Sequence, residues 1–390
     1  MPVALFALAI GAFGIGLTEF VVAGILPQIA TDFGVDIPTA GLMATTYALG
    51  VFVGAPILTV LGARIPRKTM LIGLALLFTI GNIVTALAPS LPVALVGRIL
   101  TAFNHGTFFG IGSIIAASLV AKDKQASAIA FMFSGLTLAN LFGVPAGTWL
   151  AQTFDWRLVF WLAAGIGVAT VLSVALLVPR IAAGKAIALK SELRAFVDPQ
   201  VLLAMGITVF GPAAFFTSIT YIAPMMTEEA GFTDTGVAQL MILFGLGLAV
   251  GNWLGGRFAD RSLFGTLFVT LAAQAAVLLV FWLEVDNAII AAASVFLMAA
   301  FGFATVSPIQ KLVMDRASSA GAPTMAASVN IGMFNLGNAI GAWVGGATIA
   351  AGLGLASPNW AGAVLSLIAL ALAVIAWATN ARGYRAAVAD

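Results

Sequence analysis

The strongest constraint on this chain is a recurring pattern. Apolar runs close to the roughly 20 residues a helix needs to cross a bilayer alternate with short breaks rich in charge, proline and glycine. Read between those breaks, spans fall at 3–26, 39–61, 68–88, 92–119, 125–152 and 158–178, then at 199–226, 236–257, 264–283, 287–310, 323–352 and 359–380. A more polar stretch at 179–198, with Arg180, Lys185, Lys190, Glu192, Arg194 and Asp198, divides the two sets. Charged residues make up 8% of the chain and hydrophobic ones 62%, with mean hydropathy +1.11; a soluble domain carries roughly 25% charge. The expected fold is an all-α membrane protein of twelve transmembrane helices in two six-helix bundles. The first bundle is 1–178, a cytoplasmic linker 179–198, and the second bundle 199–390. Met1-Pro2-Val3 lacks a basic n-region, so the first run reads as a retained helix and not a cleaved signal.

The basic residues give the orientation. Arg64, Arg67, Lys68, Lys122, Lys124, the four in the central stretch, Arg257, Arg261, Lys311, Arg316, Arg382 and Arg385 all fall on one side. Arg157 alone lies opposite, and Arg98 is inside a span. Asp32, Asp36, Asp155, Glu228, Glu229, Asp234, Glu284 and Asp286 collect on the other side. By the positive-inside rule both termini are cytoplasmic, in a multi-pass protein of a bacterial cytoplasmic membrane. A net charge of +2 gives no reason to expect a nucleic-acid partner.

An internal repeat links the halves. Gly50, Gly54 and Arg64 recur at the same spacing as Gly247, Gly251 and Arg261. Ser134, Gly143, Gly147 and Trp149 recur as Ser328, Gly337, Gly341 and Trp343. Glycine is common, at 42 residues of 390, yet the Ser-Gly-Gly-Trp set falls on corresponding helices. With an even number of helices per half, the repeats are parallel, related by an axis along the membrane normal.

Several motifs then carry a resemblance. After the second span the chain reads Arg64-Ile65-Pro66-Arg67-Lys68, and after the eighth it keeps Gly256, Asp260 and Arg261. The fifth span holds Gly135 and Gly143-Val144-Pro145-Ala146-Gly147, the first Thr18-Glu19-Phe20, and the fourth Arg98 and His105-Gly106. Together these resemble the major facilitator superfamily over essentially the whole chain. They are most similar to its drug:proton antiporter branch and, more narrowly, to its arabinose-efflux-permease-like and sugar or purine-nucleoside exporters. The loop motif departs from the family pattern at Ala63 and Pro66. The resemblance implies a monomeric, proton-coupled exporter of a small organic molecule working by alternating access; an uncoupled uniporter or importer of the same fold is the alternative. No cofactor is implied beyond the proton as coupling ion.

Glu19 and Arg98 are the only formally charged residues well inside the spans. Such groups are costly in lipid and mark proton or substrate paths. Counted along their helices, both sit roughly 10 Å below the outer boundary and can meet. His105, the only histidine, shares a helix face with Arg98. Glu19 is then the candidate proton site, since arginine stays protonated, with Arg98 stabilising its ionised form and His105 relaying or sensing. The structural alternatives are a fixed Glu19–Arg98 pair and a His105 that merely hydrogen-bonds between helices.

Candidate substrate contacts lie in the second half: Phe216, Thr220 and Tyr221 in helix 7, Gln310 at the end of helix 10, and Asn330, Asn335 and Asn338 in helix 11. Aromatic rings and amides suit a neutral, moderately polar sugar, nucleoside or drug. Asparagines also serve as interhelical glue, and most of the 28 phenylalanines face lipid or packing. Arg64, Arg67, Lys68, Asp260 and Arg261 are candidate inner-gate residues that also determine topology. Gly143, Pro145 and Gly147 form the helix 5 gating motif, and Pro145 and Pro308 are expected to permit bends.

An enzyme is not indicated, because no GxxxxGK[ST], HExxH or GxSxG pattern occurs. With one histidine and no cysteine, the usual catalytic and metal clusters cannot be assembled.

Overall fold

The computed structural model describes residues 2–62, 64–121, 124–181, 197–319 and 326–389; at 126, 318, 326–328 and 380–389 it describes the backbone alone. Most of the expected linker, together with Lys122, Lys185, Lys190, Glu192 and Arg194, lies outside the described residues.

Helices account for nearly all of the described residues. The first six are α1 (Ala4–Phe33), α2 (Leu42–Gly62), α3 (Arg67–Ala86), α4 (Leu91–Ser118), α5 (Gln125–Leu138 continued by Val144–Thr153) and α6 (Arg157–Leu177). The second six are α7 (Pro199–Ile219), α8 (Asp234–Ala259), α9 (Leu263–Leu283), α10 (Ala288–Ala304 continued by Val306–Ser319), α11 (Ala326–Ala350) and α12 (Ser357–Ala389). Polar caps start four of the latter: Asp198, Thr233, Ser262 and Asn287 each accept a backbone amide of the first turn. A one-turn helix, Ile37–Ala40, precedes α2. Its cap is Asp36, whose carboxyl is held below the usual carboxylate range by hydrogen bonds from the Thr39 side chain and amide.

Among the described residues, eleven helical stretches are long and apolar enough to cross a membrane. The remaining long helix, α11, has 25 residues but is less apolar, because it carries Asn330, Asn335 and Asn338. Its position compensates: α11 packs on α7 and α2, between the two halves.

Two helix ends differ from the sequence reading, each for a local reason, and two bends fall at the expected prolines. α1 runs on to Phe33, not 26, and stops at Gly34, which takes a left-handed φ of 64°. α7 ends at Ile219, not 226, because Pro224 cannot donate to the Thr220 carbonyl and its ring would clash there. α10 breaks after Ala304, the residue four before Pro308. In α5 the bend is a wide turn, Ala139–Gly143, in which the Val144 amide reaches the Ala139 carbonyl just ahead of Pro145.

Charge sorts the helix ends. At the basic end, Lys68 Nζ donates to the Ala175 carbonyl at 2.7 Å, the Arg67 amide to Ile181 at 3.2 Å, and Lys311 lies 3.7 Å from Asp260. At the acidic end, Arg157 pairs with Asp32 at 2.7 Å and donates to the Ala88 carbonyl at 3.0 Å.

The repeated glycines make the same contact in each half. Gly50 and Gly54 let α2 approach Ala102 and Phe103 of α4, as Gly247 and Gly251 let α8 approach Ala299 and Ala300 of α10. Gly143 and Gly147 face Phe13, Leu17 and Val21 of α1, as Gly337 and Gly341 face Val209 and Ala213 of α7. Trp149 and Trp343 both point outward, half or more exposed. Side chains this large on the outer surface fit a lipid surround.

Candidate functional site

Arg98 sits at the junction of α1, α2 and α4 and is fully buried. Its Nε donates to the Met43 carbonyl at 3.0 Å and its Nη1 to the Thr18 carbonyl at 2.8 Å. The guanidinium lies over the Tyr47 ring, 4.2 Å from its centroid. Its Nη2 is buried without a partner. Glu19, half-buried, follows Thr18 directly on α1, but the hydrogen bonds of Arg98 go to backbone carbonyls and not to its carboxylate. The fixed-pair alternative is therefore not what holds Arg98. Backbone carbonyls of α1 and α2 hold it instead.

His105 lies on the same side of α4, as the spacing from Arg98 predicts. Its Nδ1 is 3.2 Å from the Tyr47 hydroxyl, and its ring meets Phe109 edge-on at 5.4 Å. Tyr47 thus touches both ionisable residues of α4. The sequence reading passed over it, because in the first half it weighed only the ionisable Glu19, Arg98 and His105, and Tyr47 stands among Ala44, Thr45, Thr46 and Ala48 without a motif of its own.

In the second half the expected amides divide. Gln310, Asn330 and Thr208 form a chain: Thr208 Oγ1 donates to Asn330 Oδ1 at 2.9 Å, and Asn330 Nδ2 donates to Gln310 Oε1. These groups tie α7, α10 and α11 together. Asn335 Nδ2 donates to its own helix at Ile331, 3.0 Å away, and leaves Oδ1 unpartnered. Asn338 is fully buried with both amide atoms unpartnered. Asn140, in the wide turn of α5, adds an unpartnered buried oxygen that the sequence reading missed.

Phe216, Thr220 and Tyr221 pack between the halves. Phe20 of α1 inserts among Phe216, Phe244 and Phe303 at centroid distances of 5.8, 5.7 and 6.1 Å. Thr220 Oγ1 turns back onto the Phe216 carbonyl at 2.7 Å. The Tyr221 hydroxyl donates to the Ala342 carbonyl at 2.7 Å, in a slot between Gly41 before α2 and Gly346 of α11. A Cβ at either glycine would overlap that hydroxyl. Lower down, Gly245 of α8 lies against the Asn140 carbonyl, and Gly332 of α11 faces the Phe52 carbonyl of α2. Pro56 leaves that Phe52 carbonyl without its usual helical donor.

The expected gate residues sit at the basic end, where their described contacts stay within one half. Arg64 is exposed, Arg67 and Lys68 reach the end of α6, Asp260 pairs with Lys311, and Arg261 lies 5.9 Å over Phe258. Gly143 and Gly147 pack α5 on α1, and Pro145 follows the wide turn.

A buried arginine sits at a three-helix junction of the first bundle, and unpartnered amides and an asparagine-bearing helix lie where the two pseudo-symmetric bundles meet. Comparison with known proteins agrees with a transporter. The chain is 47% identical to the inner membrane transport protein YdhP of Escherichia coli (strain K12) over 368 residues, covering 94% of each. It is 35% identical to a chloramphenicol resistance protein of Streptomyces lividans over 384 residues, covering 96% of each. In fold it is similar to a crystal structure of a D-xylose-proton symporter, with a TM-score of 0.75 at 15% identity, covering 96% of this chain and 97% of that one. The pattern of the Major Facilitator Superfamily matches residues 8–332. With the paired bundles and their buried junction as its structural counterpart, that match makes this chain a member of the Major Facilitator Superfamily, a membrane transporter and not an enzyme.

Proposed function

We propose that this transporter exports a neutral or weakly polar organic molecule in exchange for protons, with Glu19 as the proton site. The observation that carries the reading is Arg98: buried, left with Nη2 unpartnered, and held by two carbonyls, one of them that of Thr18, the residue before the lone carboxylate of the spans. A buried guanidinium N–H without an acceptor is costly, and an ionised Glu19, next on α1 to the Thr18 whose carbonyl Arg98 already holds, can supply one. A protonated Glu19 releases it. The carboxylate therefore has two environments that differ in charge, which is what coupling a proton to alternating access requires.

Substrate sits between the halves, where Asn338, Asn335 and Asn140 offer free amide groups and the phenylalanines offer flat apolar walls. Similarity to a chloramphenicol resistance protein supports a drug-like substrate and outward transport. The basic end faces the cytoplasm by the positive-inside rule. Arg64, Arg67, Lys68, Asp260 and Arg261 then line the cytoplasmic gate, and the Tyr221 slot and the Phe20 cluster close the opposite path.

The test is export from proteoliposomes under an imposed pH gradient, screening chloramphenicol, sugars and nucleosides. Substrate-linked proton flux is expected in the wild type, and none in Glu19→Gln. Gradient-dependent transport that persists unchanged in Glu19→Gln overturns the assignment.

A further inference from the structure

Tyr47 is the side chain on which Arg98 and His105 both rest. It is almost completely buried, its hydroxyl 3.2 Å from His105 Nδ1 and its ring face 4.2 Å beneath the Arg98 guanidinium. A phenol can donate to a neutral imidazole nitrogen or accept from a protonated one. Arg98 decides between these directions. A cation over the ring draws electron density from the phenol, which strengthens the O–H as a donor and weakens the oxygen as an acceptor. The other ionisable group here is Glu19, on α1; α11 contributes Ile331, which is apolar.

We propose that Tyr47 is a positioning residue that donates its hydroxyl hydrogen to His105 Nδ1 and so fixes the imidazole as the tautomer carrying its proton on Nε2. The Nε2–H is thereby the edge His105 presents to partners other than α2. Because Tyr47 lies under the Arg98 charge and sets the His105 proton, it joins the guanidinium beside the Glu19 turn of α1 to the histidine. Its role in transport rests on the proton-coupled reading above; the hydrogen bond itself does not.

His105 is the only histidine, so histidine labelled with nitrogen-15 reports on this ring alone. In the full chain in liposomes, solid-state NMR at neutral pH is expected to give a pyridine-type Nδ1 and a pyrrole-type Nε2. Tyr47→Phe keeps the ring under Arg98 and removes only the hydroxyl, so it should yield a mixture of the two tautomers. A wild-type ring protonated on Nδ1, or a Tyr47→Phe spectrum superimposable on the wild type, overturns the proposal, and the first needs no variant to fold. In the transport assay Tyr47→Phe should lose gradient-driven rate with little change in apparent KM. An unchanged rate beside a changed tautomer refutes the role in coupling. Gradient dependence surviving in Glu19→Gln, with the tautomer still scrambled in Tyr47→Phe, refutes the proton-site assignment alone.

Discussion

Asn338 is a buried side chain whose polar atoms have no protein partner, and that decides what replacing it should do. An unsatisfied buried polar group costs about 1–3 kcal/mol, so Asn338→Leu should leave the thermal midpoint in detergent unchanged or raise it. If the amide serves the substrate, export should fall sharply in the same variant. Lower stability with normal export would mean that Asn338 is interhelical glue. Asn330 and Gln310 are already spent on each other and on Thr208. Residue identity alone could not separate these cases. Three asparagines in one span look alike in sequence, and only the neighbours on α7 and α10 show which amides are saturated. Tyr47 was illegible for a related reason, since its importance lies in two contacts across 51 and 58 positions of chain, to Arg98 and to His105.

At the scale of elements, glycine spacing was the most legible feature. Gly50, Gly54, Gly143 and Gly147 and their repeats mark helix contacts that recur in both halves, because close backbone approach demands a missing side chain wherever it happens. Helix ends were less legible. Pro145 and Pro308 bend helices as expected, but Pro224 acts four residues upstream and ends α7 inside what hydropathy alone reads as a continuous span. That early ending places Tyr221 in its slot. Gly41→Ala would set a methyl against the Tyr221 hydroxyl and disfavour the closed acidic end. Overpacking of this kind costs about 1–3 kcal/mol, or about 5–150-fold in the equilibrium. The chain has no cysteine, so a single Ala40→Cys at the buried edge of the slot gives a clean probe. Its alkylation should accelerate in the Gly41→Ala background; an unaltered rate would show that the slot does not control opening.

At the scale of the whole molecule, the hydropathy pattern and the sorting of charge were enough to read the membrane fold, because lipid tolerates few alternatives. Of the candidate site, the ionisable residues Glu19, Arg98 and His105 and the amides Asn335 and Asn338 could be named from sequence, but not the Tyr47 that touches both Arg98 and His105. The proposed orientation, with the basic end toward the cytoplasm, rests on the same charge sorting and is directly measurable. Cysteines introduced at Arg64 and at Asp155, on opposite ends, should be labelled by impermeant reagents from opposite faces, with Arg64→Cys reached only from the cytoplasm. The polarity of α11 also bears on how the protein is made. A helix with Asn330, Asn335 and Asn338 partitions into lipid poorly by itself, and its companions are helices α7 and α2, synthesised well before it. Its insertion should therefore depend on a nearly finished bundle. Placed alone between soluble reporter domains, α11 should fail to integrate where α9 succeeds. Leucine at the three asparagine positions should restore integration, while the same changes in the full chain abolish export. The residues that leave α11 ill suited to lipid during biogenesis would then be the ones that suit it to a wet path once assembled.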